Sequence, residues 1–263
     1  MKHKPTFLNQ NKPLITCMIQ ARTPNEAIAA IRNAAVEGAD AFGFQFCKME
    51  PEYRTADGLK CIFRHMGNRP IYVTNYRYGF NQEMTDDELA EGLLFELSCG
   101  ATLLDVMGDM FCKDPRELTY DAQAVEKQKK LIDEIHARGG EVLMSSHLYR
   151  YAPAEEVLEI AKEHQKRGAD IAKIVTAAYT EEEELENLRI TTLLRKELDI
   201  PVLFLSSGSH CKLHRNIGPA LGACMWLTVP EHDALSTKAQ PLLRGIRAIA
   251  DHFDFQPDRE FDE

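Results

Sequence analysis

Three residues in the second half of the chain have the types and settings to act together on a carbonyl compound. Lys173 lies in Gly168-Ala169-Asp170-Ile171-Ala172-Lys173-Ile174-Val175, among small and apolar neighbours. On a buried strand the ammonium form is disfavoured, and the neutral amine is the nucleophile that condenses with a ketone. The alternative is a lysine paired with an acid such as Asp105 on the floor of the fold. His147 ends the run Val142-Leu143-Met144-Ser145-Ser146-His147. Histidine titrates near neutrality and can move protons in both directions. Taken alone, it is better read as a strand-end histidine bonded to a backbone group. Adjacent strands lie about 5 Å apart, so His147 and Lys173 can meet as a pair. Arg215 follows Ser206-Ser207-Gly208-Ser209-His210 at the start of a short helix. A loop and helix N-terminus of this kind hold anions, and an arginine there can grip a carboxylate or phosphate bidentately. The alternative is a surface arginine paired with a neighbouring helix.

Two other clusters carry weaker chemistry. His210, Cys211 and His214 include a His-x3-His spacing that could hold zinc, but no further matching ligand lies nearby. The acidic run Glu181–Glu184 reads as negative charge at the positive end of a helix dipole.

The elements that must position these residues alternate from end to end. Short apolar runs at 14–19, 41–47, 71–75, 102–107, 141–146, 171–176, 202–206 and 224–229 read as strands. Amphipathic runs at 24–37, 56–65, 86–98, 121–138, 154–167, 181–198, 215–221 and 238–253 read as helices. Thr55, Thr85 and Ser236 can cap helix N-termini, and Gly38, Gly100, Gly139-Gly140 and Gly168 stand where helices should stop. Pro70 and Pro201 enter strands where a missing N–H costs little. Eight βα units with short links predict an α/β fold, a single-domain (β/α)8 TIM barrel. The barrel would span 13–255, after an N-terminal extension at 1–12 and before an acidic tail at 256–263. In such a barrel the active site sits at the C-terminal ends of the strands, where the three residues fall.

The whole chain agrees. Its 263 residues suit one barrel of about 250 residues, and 44% hydrophobic residues supply a core. A net charge of −10 argues against a general binder of nucleic acid or anionic membrane. It leaves room for a small anionic ligand in a locally basic pocket. Seven cysteines, an odd number without CxxC spacing, suit a reduced cytoplasmic protein. No apolar segment follows the first residues as a signal peptide would require, and no run is long enough to cross a membrane.

These motifs resemble the type I 3-dehydroquinate dehydratases over about residues 13–253. The most specific block is Met144-Ser145-Ser146-His147-Leu148-Tyr149-Arg150-Tyr151-Ala152-Pro153, followed by Gly168 to Ile174. The resemblance places the family's histidine on His147 and its Schiff-base lysine on Lys173. The block Pro201 to Gly208 through Arg215 is similar to the loop whose arginine binds the substrate carboxylate. A further block places the family's serine and glutamine on Ser236 and Gln240.

The resemblance implies that lysine attacks the ketone and that histidine moves the protons while water leaves. It implies no metal or organic cofactor, a homodimer, and a place in the shikimate route to aromatic amino acids. The sequence departs from the family pattern where substrate hydroxyls are held. Gly43 and Gln45 stand in place of a glutamate and an arginine, and Tyr76 in place of an arginine, with Arg77 beside it. Side chains alternate along a strand, so Arg77 should point away from Tyr76 unless a bulge intervenes. The loop Tyr78-Gly79-Phe80-Asn81 lacks the family's acidic residue. Gln45, Asn75, Tyr76 and Arg77 are the candidate replacements for these contacts.

Three functions follow as expectations. The first is a Schiff-base hydro-lyase acting on 3-dehydroquinate or a related carboxylate-bearing ketone. The second is a class I aldolase-like carbon–carbon lyase, with Ser206–Ser209 holding a phosphate. The third is a non-catalytic barrel that binds a small carboxylate through Arg215.

Overall fold

The apolar runs pair in chain order. In the computed structural model, which describes residues 5–253 and 255, they form eight parallel strands. These are β1 (Leu14–Ile19), β2 (Ala41–Gln45), β3 (Ile71–Thr74), β4 (Leu103–Met107), β5 (Glu141–His147), β6 (Ile171–Ala177), β7 (Val202–Ser207) and β8 (Met225–Thr228). Each strand pairs with its successor from β1 to β7, and β8 pairs back onto β1. The remaining seam, between β7 and β8, closes at one bridge, Val202 to Ala223, where Cys224 N donates to Val202 O at 2.8 Å. The fold is the expected (β/α)8 barrel.

The helices are α1 (Pro24–Val36), α2 (Ala56–His65), α3 (Asp86–Cys99), α4 (Ala122–Ala137), α5 (Ala154–Arg167), α6 (Glu181–Glu197), α7 (Lys212–Leu221) and α8 (Leu243–Ala250). Thr55 and Thr85 cap as expected, each accepting from the backbone N–H three residues on. Gly168 ends α5 in the left-handed region, where a side chain would be strained.

Two helices start elsewhere than the sequence pattern suggests. α7 begins at Lys212, so Arg215 lies within its first turn. α8 begins at Leu243 rather than 238, and Ser236 does not cap it. Residues ahead of Pro241 are biased away from helix. The chain there makes a turn closed by Gln240 N donating to Thr237 O at 3.0 Å, then bridges Val229, whose N donates to Pro241 O at 3.0 Å and whose O accepts from Leu243 N at 2.9 Å.

Strand parity divides the side chains into two sets. Ile171, Lys173 and Val175 of β6 face the barrel axis, while Ala172 and Ile174 face α5 and α6. The axis is packed by Leu14, Met18, Tyr72, Leu103, Leu143 and Leu203, among others. The N-terminal extension joins this packing. Phe7 is buried among these residues, and its N–H and the Thr6 hydroxyl both bond Glu141. The tail at 256–263 lies outside the described residues. No described helix is long and apolar enough to cross a membrane.

One buried charge stands apart from the site. Glu96 of α3 is fully buried, and neither carboxyl oxygen has a hydrogen-bond partner among the described residues. Burial pushes its carboxyl well above the usual range, outweighing the attraction of Arg54. Its folded state therefore holds a proton that the unfolded chain releases. That favours folding below the ordinary carboxyl value of 4.5, and the benefit declines as pH rises toward the folded value. Glu96→Gln removes this dependence. Urea unfolding is expected to show the variant gaining on the wild type as pH rises above 4.5, by up to about 1.4 kcal/mol per pH unit.

Candidate active site

Lys173 sits midway along β6, beside Ser145 of β5 and Leu203 of β7 in register. It is 4% exposed, with Nζ 3.0 Å from Asp105 Oδ2, 3.0 Å from Tyr72 OH and 2.5 Å from Tyr76 OH. Both phenols also donate to Asp105 Oδ2, and Ser145 Oγ donates to Oδ1 at 2.5 Å. Burial alone would raise the Asp105 carboxyl. The Lys173 charge and the three hydroxyl donors outweigh it and hold the group below its usual range. The two readings of Lys173 are thus both true: it is paired with Asp105, and it lines a cavity of about 450 Å³ at the C-terminal end of the barrel.

His147 lines the same cavity. It makes no hydrogen bond to Lys173 in the described structure. Tyr76 lies between them, edge-on to the imidazole with ring centroids 5.3 Å apart. His147 instead donates its Nδ1–H to Glu117 Oε2 at 2.7 Å, and its backbone N–H reaches the same oxygen at 2.9 Å. This leaves Nε2 without a partner among the described residues and available as a base.

Glu117 comes from the 108–121 loop between β4 and α4, much longer than the usual βα link. Its φ is 47°, in the left-handed region. The loop is tied from below. Ser146 Oγ donates to Glu117 O at 2.7 Å and meets His164 Nε2 at 3.0 Å. Burial, reinforced by Arg167, pushes the His164 imidazole down to about 3 and keeps it neutral. Arg167 binds Gly108 O at 3.0 Å and Thr119 O at 2.6 Å. These contacts hold the left-handed Glu117 with its carboxylate against the His147 ring.

Arg215 is 7% exposed and reaches the cavity from α7. Its Nε donates to Ser206 O at 2.5 Å, and it has no acid partner among the described residues. Burial pushes its guanidinium down to about 10. An unmatched buried cation on a cavity wall is suited to a carboxylate. The expected backbone anion site beside it is already filled: Glu184 Oε1 accepts from Leu213 N at 2.8 Å and His214 N at 3.3 Å. Glu184 thus caps α7 as well as charging the start of α6.

The remaining candidates divide. Gln45 lines the cavity, accepting from Gln20 at 2.7 Å and donating to Tyr78 OH, while Gln20 meets Thr237. Gln240 lines it too, and its Oε1 is buried without a partner among the described residues. Ser236 does not reach it. Its hydroxyl bonds Asp233 and opens on a separate groove of about 830 Å³ beside α1. Asn75 faces α3, donating to Leu89 O and accepting from Asn81. Arg77 borders the cavity, but Asp86 and Asp109 engage all three guanidinium nitrogens. Strand alternation holds without a bulge, so Tyr76 takes the inward place. At Gly43 a Cβ would lie 2.0 Å from the Met18 sulfur, so Met18 and Tyr72 fill the room a larger residue would need. His214 is turned onto Thr191 and Phe204, and His210 bonds Ser209.

Sequence reasoning missed Glu117, Gln20 and Thr237, and placed Asp105 only as a competing partner of Lys173. The length of the 108–121 loop was the available signal for Glu117. Together the cavity offers an amine nucleophile, an imidazole base held by a carboxylate, and a cation. That set can form an imine, move a proton on the adjacent carbon and hold an anionic end of the same molecule.

A family model described as type I 3-dehydroquinase matches residues 15–254. A 3-dehydroquinate dehydratase of Lactiplantibacillus plantarum is 32% identical over 134 residues, which is 50% of this chain and 50% of that protein. The chain thus matches about half the length of that relative. One of Klebsiella pneumoniae is 23% identical over 252 residues, 94% of this chain and 96% of that protein. Among solved structures, the type I 3-dehydroquinate dehydratase of Clostridium difficile with covalently modified comenic acid gives a TM-score of 0.78. It covers 92% of this chain and 93% of that one at 16% identity, a likeness of fold.

Proposed function

The chain belongs to the type I 3-dehydroquinase family, and from that premise we propose that it is a hydro-lyase that dehydrates 3-dehydroquinate, or a closely related carboxylate-bearing ketone, through a Schiff base on Lys173. The observation that carries this reading is one cavity lined by Lys173, by His147 held on Glu117, and by Arg215 without an acid partner. Lys173 adds to the ketone and the iminium draws electrons from the neighbouring carbon. His147 Nε2 removes a proton there and returns it to the departing hydroxyl. Water then hydrolyses the imine. The iminium itself serves as the electron sink, so this chemistry calls for no metal or organic cofactor.

Arg215 holds the carboxylate, with Gln240, Gln45 and Tyr76 as substrate-binding groups that line the same cavity. Ser236, Asn75 and Arg77 are assigned supporting roles in the turn, against α3 and in the ion-pair cluster. Filling of the α7 N-terminus by Glu184 weighs against a phosphate there, and so against the aldolase reading.

The direct test is the ultraviolet absorbance of the conjugated enone formed from 3-dehydroquinate, together with borohydride trapping and mass measurement at Lys173. A trapped adduct with no enone would move the substrate to another carboxylate-bearing ketone. No adduct with any such ketone would favour the binding-only barrel. Arg215→Met should lower kcat/KM for 3-dehydroquinate about 10²–10³-fold, as loss of a bidentate charge-assisted contact costs. The ligand-free variant should be at least as stable as the wild type by urea unfolding, because the charge removed is unmatched.

We propose further features of the protein on the same basis. They are a 1–12 extension before a 13–255 barrel, a homodimer, residence in the cytoplasm and service in the shikimate pathway. Cytoplasmic residence is supported by the described cysteines, all seven of them free thiols.

A further inference from the structure

Building on the Schiff-base reading, we propose that Tyr76 is a catalytic residue for imine formation, its phenol protonating the oxygen that leaves as water while Asp105 stores and returns the proton. His147 is then left for the carbon acid alone.

Position selects Tyr76. Its OH is 2.5 Å from Lys173 Nζ and 2.5 Å from Asp105 Oδ2, so it bridges nucleophile and carboxylate. When Nζ has added to a ketone, the carbinolamine oxygen is two bonds from that nitrogen, within reach of a donor already touching it. Tyr72 also touches both groups, at 3.0 Å from Nζ, but it is 0% exposed against 9% for Tyr76 and lies lower in β3. It lines the same cavity, but from deeper in the barrel and with no exposed surface of its own. His147 is committed through Nδ1 to Glu117 and has no hydrogen bond to Nζ or Asp105. Burial, and next the Asp105 charge, push the Tyr76 phenol well above its usual range, so it remains a proton donor.

The protons balance without an outside acid. Lys173 starts as ammonium facing the Asp105 carboxylate and passes it one proton. The free amine attacks the carbonyl carbon, forming the C–N bond and an alkoxide. Tyr76 protonates the alkoxide and recovers a proton from the nitrogen. Tyr76 then protonates the resulting hydroxyl, the C–O bond breaks, and water leaves as the nitrogen lone pair forms C=N. The tyrosinate takes back a proton from Asp105. Ammonium and ketone have become iminium and water, with Asp105 again a carboxylate facing a positive nitrogen.

The test is rapid-quench borohydride trapping on the full chain with 3-dehydroquinate as the probe, comparing wild type, Tyr76→Phe and Tyr72→Phe. Tyr76→Phe should slow the appearance of adduct at Lys173 by about 10²-fold or more, the scale of a lost general acid. The final yield should be retained, and the slow rate should rise with added buffer acid. Tyr72→Phe should be slowed far less. Should Tyr76→Phe not fold, 3-fluorotyrosine at position 76 keeps the packing and alters only phenol acidity, and its rate should shift. A Tyr76→Phe rate close to wild type, equal slowing in Tyr72→Phe, or indifference to fluorination overturns the proposal. If the wild type forms no adduct at all, the Schiff-base reading itself has failed and this assignment falls with it.

Discussion

Lys173→Ala is expected to abolish the borohydride adduct, to lower kcat for 3-dehydroquinate on the order of 10⁴-fold or more, and to unfold at markedly lower urea. The first two effects follow from losing the only lysine among the described residues that line the cavity. The third follows from what the lysine leaves behind. Asp105 is buried, and its Oδ2 pairs with Nζ at 3.0 Å. Removing one partner of a buried ion pair strands the other charge, at a cost of about 3–5 kcal/mol. The hydroxyls of Tyr72, Tyr76 and Ser145 still donate to that carboxylate and offset part of the cost. Adding Asp105→Asn in the Lys173→Ala background neutralises the stranded charge. Denaturant midpoints should then recover while activity does not. If midpoints fall no further in Lys173→Ala than in a surface substitution, the account of the Asp105 pair is wrong. If turnover survives, the nucleophile is another group.

Glu117→Gln is expected to lower kcat about 10²–10⁴-fold while leaving Lys173 open to trapping. The carboxylate accepts from both Nδ1 and the backbone N–H of His147, which fixes the ring and favours the tautomer with a bare Nε2. It also stabilises the imidazolium that forms once the proton is taken. An amide can present oxygen to Nδ1–H, but without the charge, or nitrogen, which reverses the tautomer. Because imine formation does not pass through His147 in this scheme, adduct should still accumulate, and hydrogen exchange at the adjacent carbon should be the slowed step. Loss of trapping in parallel with turnover would instead place Glu117 in binding or folding. Stability should change little, since the 108–121 loop is secured by Arg167 and Ser146 through backbone carbonyls that the substitution leaves in place.

How much of this was readable from sequence follows the range of the forces involved. The apolar runs of β6 and β5 marked Lys173 as a buried lysine and His147 as a strand-end histidine, and parallel pairing in chain order made their strands neighbours. Strand alternation placed Tyr76 inward, as found, while Arg77 borders the cavity with its guanidinium drawn onto Asp86 and Asp109. Gly168 and Thr85 act within a few residues and behaved as their types require. The start of α8 was misjudged because the segment at 241–243 bonds Val229, just past β8, a contact that no helical periodicity records. With that shift, Ser236 left the site and Gln240 stayed.

The sequence alone determined the barrel, the inward lysine and histidine, and an arginine behind strand seven. These depend on hydrophobic period and local capping, which are properties of neighbouring residues. Only the tertiary structure decided what surrounds them. Glu117 reaches His147 from thirty residues away through a left-handed turn. Glu184 fills an anion site on a different helix, and Tyr76 stands between the two residues first taken for a touching pair. Such partnerships are set by distances across the barrel, between groups whose sequence separation carries no trace of their contact.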